Sequence, residues 1–442
     1  MVQASRSADP ASGLSDRPEA SWRSLRVLRE RNFRWFFLGQ CASMFGDGMV
    51  APALAFAVLG LSGRVTDLGL VLAAGTTSQV LFMLAGGVIA DWLPRNVLML
   101  GSDLLRTVSQ GVMATLLITG VARVWHLLVL QVVHGFAAAM FMPAVPGLIQ
   151  ATTTPEQRQP ANALRVLALS GSLVAGPAVA GVLVVAVDPG WAIGVDAVTF
   201  AASAACLSRL RLRYTVRLRR CRFGRDLADG WREFRSRRWV WSIILAASVM
   251  NLLYAGFSVL GPAVSARSLG GAGAWAVISA TFGIGCLGGS IVALCVRPRF
   301  PLRSALTVMV AFACPTLTLA AGLTVGVVAA AAFFGGLVMM LFNTLWETTL
   351  QQHIPATTLS RVSAYEWAGS VACQPLGLVL VAPIAGRVGL HATLWTAGVL
   401  QVLVALFPLL IPEVRTLPSP TAPPSAPVRR RSAARSTRRG AK

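Results

Sequence analysis

The chain is 442 residues long, with 55% hydrophobic residues and only 13% charged ones, against the roughly 25% charged content of soluble domains. That composition excludes a soluble protein, and the long apolar runs, which do not alternate with polar residues, exclude a porin-like barrel. Twelve membrane helices of about 20 residues would use about 240 residues, which matches the hydrophobic content and leaves no room for a large soluble domain. The net charge of +22 rests on 38 arginines and a single lysine. They cluster at Arg6 to Arg34, at Arg209 to Arg238 and from Arg415 to the end, flanking apolar spans as the positive-inside rule requires, so no nucleic-acid partner is expected.

In chain order, a polar stretch over 1–32 lacks an apolar core followed by a cleavage site, and the first span is expected to start insertion itself. Apolar runs between charged or Pro/Gly-marked breaks predict spans at 33–61, 67–90, 98–120, 125–150, 162–187 and 191–208. A second set is predicted at 239–266, 273–296, 304–323, 327–350, 363–386 and 392–411. The expected organisation is a basic cytoplasmic tail (1–32), a six-helix bundle (33–208), a basic linker (209–238), a second six-helix bundle (239–411) and a disordered basic tail (412–442). Within the linker, Asp226 to Phe234 could form an amphipathic helix at the membrane surface. The loops predicted to face outward hold only Arg64, Arg123, Arg267 and Arg387, so both termini are expected in the cytoplasm. The seven cysteines are scattered singly, which indicates neither a disulfide framework nor a zinc site.

Between spans two and three stands Gly87-Val-Ile-Ala-Asp91-Trp-Leu-Pro-Arg95-Asn96. A small residue there lets two helices approach, and an acid at a helix end can accept hydrogen bonds from a neighbouring helix N-terminus. This stretch resembles motif A of the major facilitator superfamily, with departures at Trp92, Pro94 and Asn96. In span five, Gly171 to Gly181 includes Gly176-Pro177 and resembles motif C, which in that superfamily is associated with exporting antiporters. Trp346-Glu347 through Pro355, Arg361 to Ser370, and Gly135 to Ala144 resemble the macrolide- and siderophore-exporter branch. The resemblance covers nearly the whole chain. It implies an all-α integral membrane protein of twelve transmembrane helices in two six-helix bundles, rocking about a central cavity. It further implies a proton-driven antiporter with no cofactor beyond the proton gradient, in a bacterial cytoplasmic membrane and working as a monomer on a small-molecule substrate.

Depth sorts the charges. At 1.5 Å per residue, Asp47 lies roughly 20 Å in from the start of span one, a little past the middle of a roughly 30 Å core. No other acid is as central by this reckoning, and its flanking glycines would let a substrate or second helix come near. Asp47 is therefore the leading proton-coupling candidate, with a fixed structural acid as the alternative reading. His134, near mid-membrane, could relay protons or simply pack. Asp103 and Arg106 share one face of span three and, with Asp91, Arg95, Arg165, Glu347, Arg361 and Glu366, are expected to form an inner-face gate cluster. Phe45, Met49, Phe141, Asn251, Tyr254, Asn343, Trp346 and Gln374 are candidates for the cavity wall.

The sequence holds no phosphate-binding loop, no H-E-x-x-H and no clustered Cys/His, so an enzyme, an ATP-driven pump or a metal site is not expected. The leading expectation is proton-coupled export of an amphipathic small molecule. An importer of the same fold, or a receptor or scaffold derived from it, is the alternative.

Overall fold

The computed structural model describes residues 26–154, 157–211, 232, 235–296, 298–354 and 356–418. Among these residues every regular element is helical. Twelve long segments run in sequence: α1 (Arg31–Ser62), α2 (Val65–Trp92), α3 (Arg95–Ile118), α4 (Val124–Thr152), α5 (Arg158–Ala186), α6 (Pro189–Ser208), α7 (Arg238–Leu269), α8 (Gly271–Cys295), α9 (Pro301–Ala320), α10 (Val325–His353), α11 (Ala356–Val371 continued by Gln374–Val388) and α12 (Leu390–Leu410). The predicted amphipathic segment Asp226 to Phe234, apart from Arg232, and the tails at 1–25 and 419–442 lie outside the described residues.

Eleven of these segments are long and apolar enough to cross a membrane. The exception is α3, whose polar residues sit on its inward face. Ser102, Asp103, Arg106, Ser109 and Gln110 are buried, whereas Leu104, Val108 and Val112 are exposed. A helix with a polar inside and an apolar outside suits a hydrocarbon surround, where the outer face needs no water and the inner face finds protein partners.

Prolines mark most of the breaks. Pro143 and Pro146 interrupt α4 at a short 3-10 stretch. Pro262 sits in α7 between two π-helical stretches, Gly256–Leu260 and Ser265–Leu269. Pro375 falls at the start of the second piece of α11, beginning at Gln374. Each proline removes a backbone donor and its ring crowds the preceding turn, so the helix bends or restarts there.

The first six helices pack mainly among themselves, α1 against α5 and α6, α2 against α4, and α3 against α6. The second six do likewise, α8 against α10 and α7 against α11 and α12. The two sets meet along α5 with α8 and along α2 with α11. Both seams are backbone-close, because a Cβ on Gly283 of α8 would overlap the Leu173 carbonyl of α5, and one on Gly69 of α2 would overlap the Leu378 carbonyl of α11. Small residues let membrane helices gain van der Waals contact where no hydrophobic driving force separates lipid from protein. At one end, Asn32 at the start of α1 donates to and accepts from the Arg211 backbone after α6, at 3.1 and 3.2 Å. That end is called the N-terminal face.

Replacing Gly283 by leucine should force α5 and α8 apart and cost about 1–3 kcal/mol through overpacking. Thermal unfolding of the purified protein in detergent should show a lowered midpoint, whereas Gly101→Ala, where a Cβ meets nothing within 4 Å, should not lower it.

Candidate functional site: a one-acid cavity backed by a buried charge network

A cavity of about 390 Å³ lies between the two sets of helices. Its lining comes from α1 (Asp47, Pro52), α2 (Thr76), α5 (Pro177), α7 (Tyr254, Phe257), α8 (Trp275, Phe282) and α11 (Gln374). Asp47 is the one carboxylate in that lining, and 44% of its side chain is exposed. The flanking glycines set its direction. A Cβ on Gly46 would collide with Thr199 and Asp196 of α6, and one on Gly48 would stand 2.7 Å from the Ser172 carbonyl of α5. With α5 and α6 pressed against these two positions, the side chain between them is left to face the cavity.

Opposite the acid stands an aromatic wall. Tyr254 and Phe257 lie 5.7 Å apart between ring centroids, and Phe257 and Trp275 lie 5.1 Å apart. Gly261 makes this possible, since a Cβ there would overlap the indole of Trp275. Gln374 enters the lining because α11 restarts at that residue. A polarisable wall facing a single carboxylate fits an amphipathic ligand that carries a positive charge.

Behind Asp47 lies a polar network enclosed by the first six helices. His134 Nε2 of α4 is 3.9 Å from Asp47 Oδ1. Arg106 of α3 lies between the rings of Phe141 and Phe200, 5.0 Å from each centroid, and 4.0 Å from Asp103 Oδ1. Asp103 Oδ2 accepts from Ser203 Oγ at 2.6 Å, and Asp196 Oδ2 accepts from Gln110 Nε2 at 2.7 Å. Asp103 and Asp196 are both 0% exposed, and Arg106 only 4%. Asp103 and Arg106 thus join the network behind Asp47, in contact with α4 and α6, and their described contacts do not include Arg95. The guanidinium of Arg95 lies instead against Gly147 of α4, in the space a Cβ there would occupy.

Near the N-terminal face, one predicted pair faces across the two sets of helices. Arg165 of α5 and Glu347 of α10 lie close enough to feel each other's charge, and Glu366 of α11 feels that of Glu347. Trp346 Nε1 donates to Glu366 Oε1 at 3.2 Å. The side chains of Gly87, Asp91 and Arg361 lie outside the described residues. The motif C glycines have separate contacts: Gly176 packs its backbone on Gly48 of α1, and Gly181 meets Ala276 of α8. Between them Pro177 faces the cavity.

Of the residues expected to line a cavity, Tyr254 and Gln374 do so here. The others are engaged elsewhere or lie outside this lining. Met49 is fully buried in the core, Phe45 packs against that core, Phe141 stacks on Arg106, and Trp346 packs on Trp239. Asn251 Nδ2 donates to the Ser370 carbonyl at 2.9 Å, and Asn343 is half-buried in α10. Sequence reasoning missed Asp196 and Gln110. Asp196 lies in an apolar span next to residues with no motif, and only its being an acid within a span could have singled it out. It also corrects the expectation that Asp47 is the only central acid, because α6 brings Asp196 to the level of Gly46.

The comparisons with known proteins agree with this architecture. A model of the Major Facilitator Superfamily matches residues 36–373. The chain is 25% identical over 394 residues to the multidrug efflux pump Tap of Mycolicibacterium fortuitum, covering 84% of this chain and 93% of that protein. It is 22% identical over 397 residues to macrolide efflux protein A of Streptococcus pyogenes, covering 87% and 97%. Among solved structures, a peptide transporter POT in complex with alafosfalin superposes with a TM-score of 0.72 at 11% identity, over 88% of this chain and 96% of that one. A bacterial homologue of the human lysosomal transporter Spinster, inward-facing and occupied, superposes with a TM-score of 0.65 at 14% identity, over 89% and 97%. At such identities the structural likeness speaks for the fold. With twelve helices in two sets, a cavity between them and the family model spanning most of its length, the chain belongs to the Major Facilitator Superfamily and is a multi-pass membrane transporter, not an enzyme.

Proposed function

We propose that the protein exports an amphipathic, positively charged small molecule in exchange for protons, with residues 33–208 and 239–411 acting as two bundles that rock around the cavity. The observation that carries this reading is the position of Asp47, the single acid of a largely apolar and aromatic cavity between the two sets of helices. One carboxyl exposed there can bind a proton or a cationic ligand but not both, and such competition at a single site is the simplest form of exchange. His134, 3.9 Å away, is placed to sense which partner Asp47 holds. The similarity to pumps named for multidrug and macrolide efflux supports the outward direction and the amphipathic cargo.

The basic clusters support a cytoplasmic N-terminal face. On that face Arg165, Glu347 and Glu366 act as a gate that holds the bundles together while the cavity opens outward. The driving force is the proton gradient, and the membrane is the bacterial cytoplasmic membrane.

Three measurements test this reading. In everted vesicles with an acidified interior, the wild type should accumulate a fluorescent lipophilic cation. Asp47→Asn should abolish that accumulation while leaving gradient-independent counterflow of the same cation measurable, and proton-driven accumulation at the wild-type level would remove Asp47 from the coupling role. Trp275→Ala should raise the half-saturating concentration of the cation roughly tenfold, equivalent to about 1.4 kcal/mol, with little change in maximal rate. For the gate, Glu347→Arg should suppress transport and the added Arg165→Glu should restore part of it; no recovery in the double variant would sink the charge-pair gate.

A further inference from the structure

Asp196 lies behind Asp47, across the Gly46 backbone. Its Oδ1 occupies the region that a Cβ on Gly46 would enter, and the residue is 0% exposed. Its Oδ2 accepts from Gln110 Nε2 at 2.7 Å. Two atoms of this pair have no hydrogen-bond partner, Asp196 Oδ1 and Gln110 Oε1, and Gln110 is also 0% exposed. With the acid ionised, both orphan atoms are acceptors and neither can satisfy the other. A carboxylic acid and a primary amide are complementary: the amide N–H donates to one acid oxygen while the acid O–H donates to the amide carbonyl. A single proton on Oδ1 would therefore supply the donor that both buried atoms lack, and leaving such atoms unsatisfied is costly.

Charge counting points the same way. The helices packed on α6 present Asp47 from α1 and Asp103, Arg106 and Gln110 from α3, while His134 of α4 lies 5.9 Å from Phe200 of α6 between ring centroids. The ionisable residues of α5, Arg158 and Arg165, stand toward its start at the N-terminal face. Among the described residues of this network, three carboxylates face one guanidinium. Arg106 can balance one of them, and buried carboxylates without a counter-charge are strongly disfavoured.

We propose that Asp196 is a second proton-binding residue of the transport cycle, holding its proton against Gln110 and exchanging it with Asp47 across Gly46. In the exchange the O–H bond of Asp196 breaks, a water molecule entering from the cavity side relays the proton to the Asp47 carboxylate, where a new O–H bond forms, and the negative charge moves to Asp196. There the Gln110 N–H and the charge of Arg106 stabilise it, so the net charge of the network is unchanged. Asp47 then passes the proton to water in the cavity. This deepens the reading of Asp47 as the coupling acid and rests on it for the cycle, but its test needs no transported substrate.

The test is infrared difference spectroscopy of the full chain in lipid, comparing acidic with alkaline buffer and reading the carbonyl stretch of protonated carboxylic acids. The wild type should lose the signal of two carboxyl groups as the pH rises. Asp47→Asn should remove one of these signals and Asp196→Asn the other. Gln110→Leu should keep the Asp196 signal but move it toward the frequency of an acid that lacks an acceptor. A spectrum unchanged by Asp196→Asn, or an Asp196 signal that stays constant over the whole pH range, would overturn the proposal. If Asp196→Asn fails to fold, an unmoved band in Gln110→Leu overturns it equally. Failure of the Asp47 signal alone would instead strike the coupling reading.

Discussion

A guanidinium inside a membrane-embedded helix bundle has to bring its own surroundings with it, and Arg106 is the point around which the first six helices are arranged. Two aromatic faces, each 5.0 Å away, cover it, Asp103 stands 4.0 Å from it on the same helix, and the carboxyls of Asp196 and Asp47 join the same network from α6 and α1. Removing a buried charge's partner is far more costly than removing an exposed one. The relative positions of these three helices are therefore fixed by polar chemistry as well as by packing. The same constraint makes α3 polar inside and apolar outside, and for that reason it is the one long segment whose hydropathy falls short of a membrane span.

Close backbone packing turns that network into a working site. Gly46 and Gly48 let α6 and α5 press on α1 from two sides, so the carboxyl between them faces the seam between the helix sets. Gly176 and Gly181 then connect α5 to α1 on one side and α8 on the other. Motif C thus has a physical task here, linking the acid's helix to the opposite half, with Pro177 placed at the cavity between the two contacts.

The charges near the N-terminal face and the network behind Asp47 occupy different depths, and this separates two groups of charges that the sequence places together. Asp103 and Arg106 share a helix with Arg95, but one turn of α-helix advances about 5.4 Å, so residues two to three turns further on meet different neighbours. They meet Ser203, Phe141 and Phe200, whereas near the N-terminal face Arg165 and Glu347 face each other across the halves, with Glu366 beside Glu347 in the second.

Much of this protein was determined by its sequence alone. Twelve apolar segments separated by turns can bury their backbone polar groups in lipid only as helices, and the Gly87 to Arg95 and Gly171 to Gly181 stretches carried the family. Asp47 stood out because depth along a helix follows from residue count. Which side chains meet across helices does not follow from counting, since it depends on the rotation of each helix about its axis and on where glycines allow backbones to touch. Only the tertiary structure could therefore decide that Tyr254 and Gln374 face the cavity while Met49 and Phe141 do not. The same physical reason hid Asp196 beside Gln110: the two are 86 residues apart, and their meeting is a property of how α3 and α6 cross.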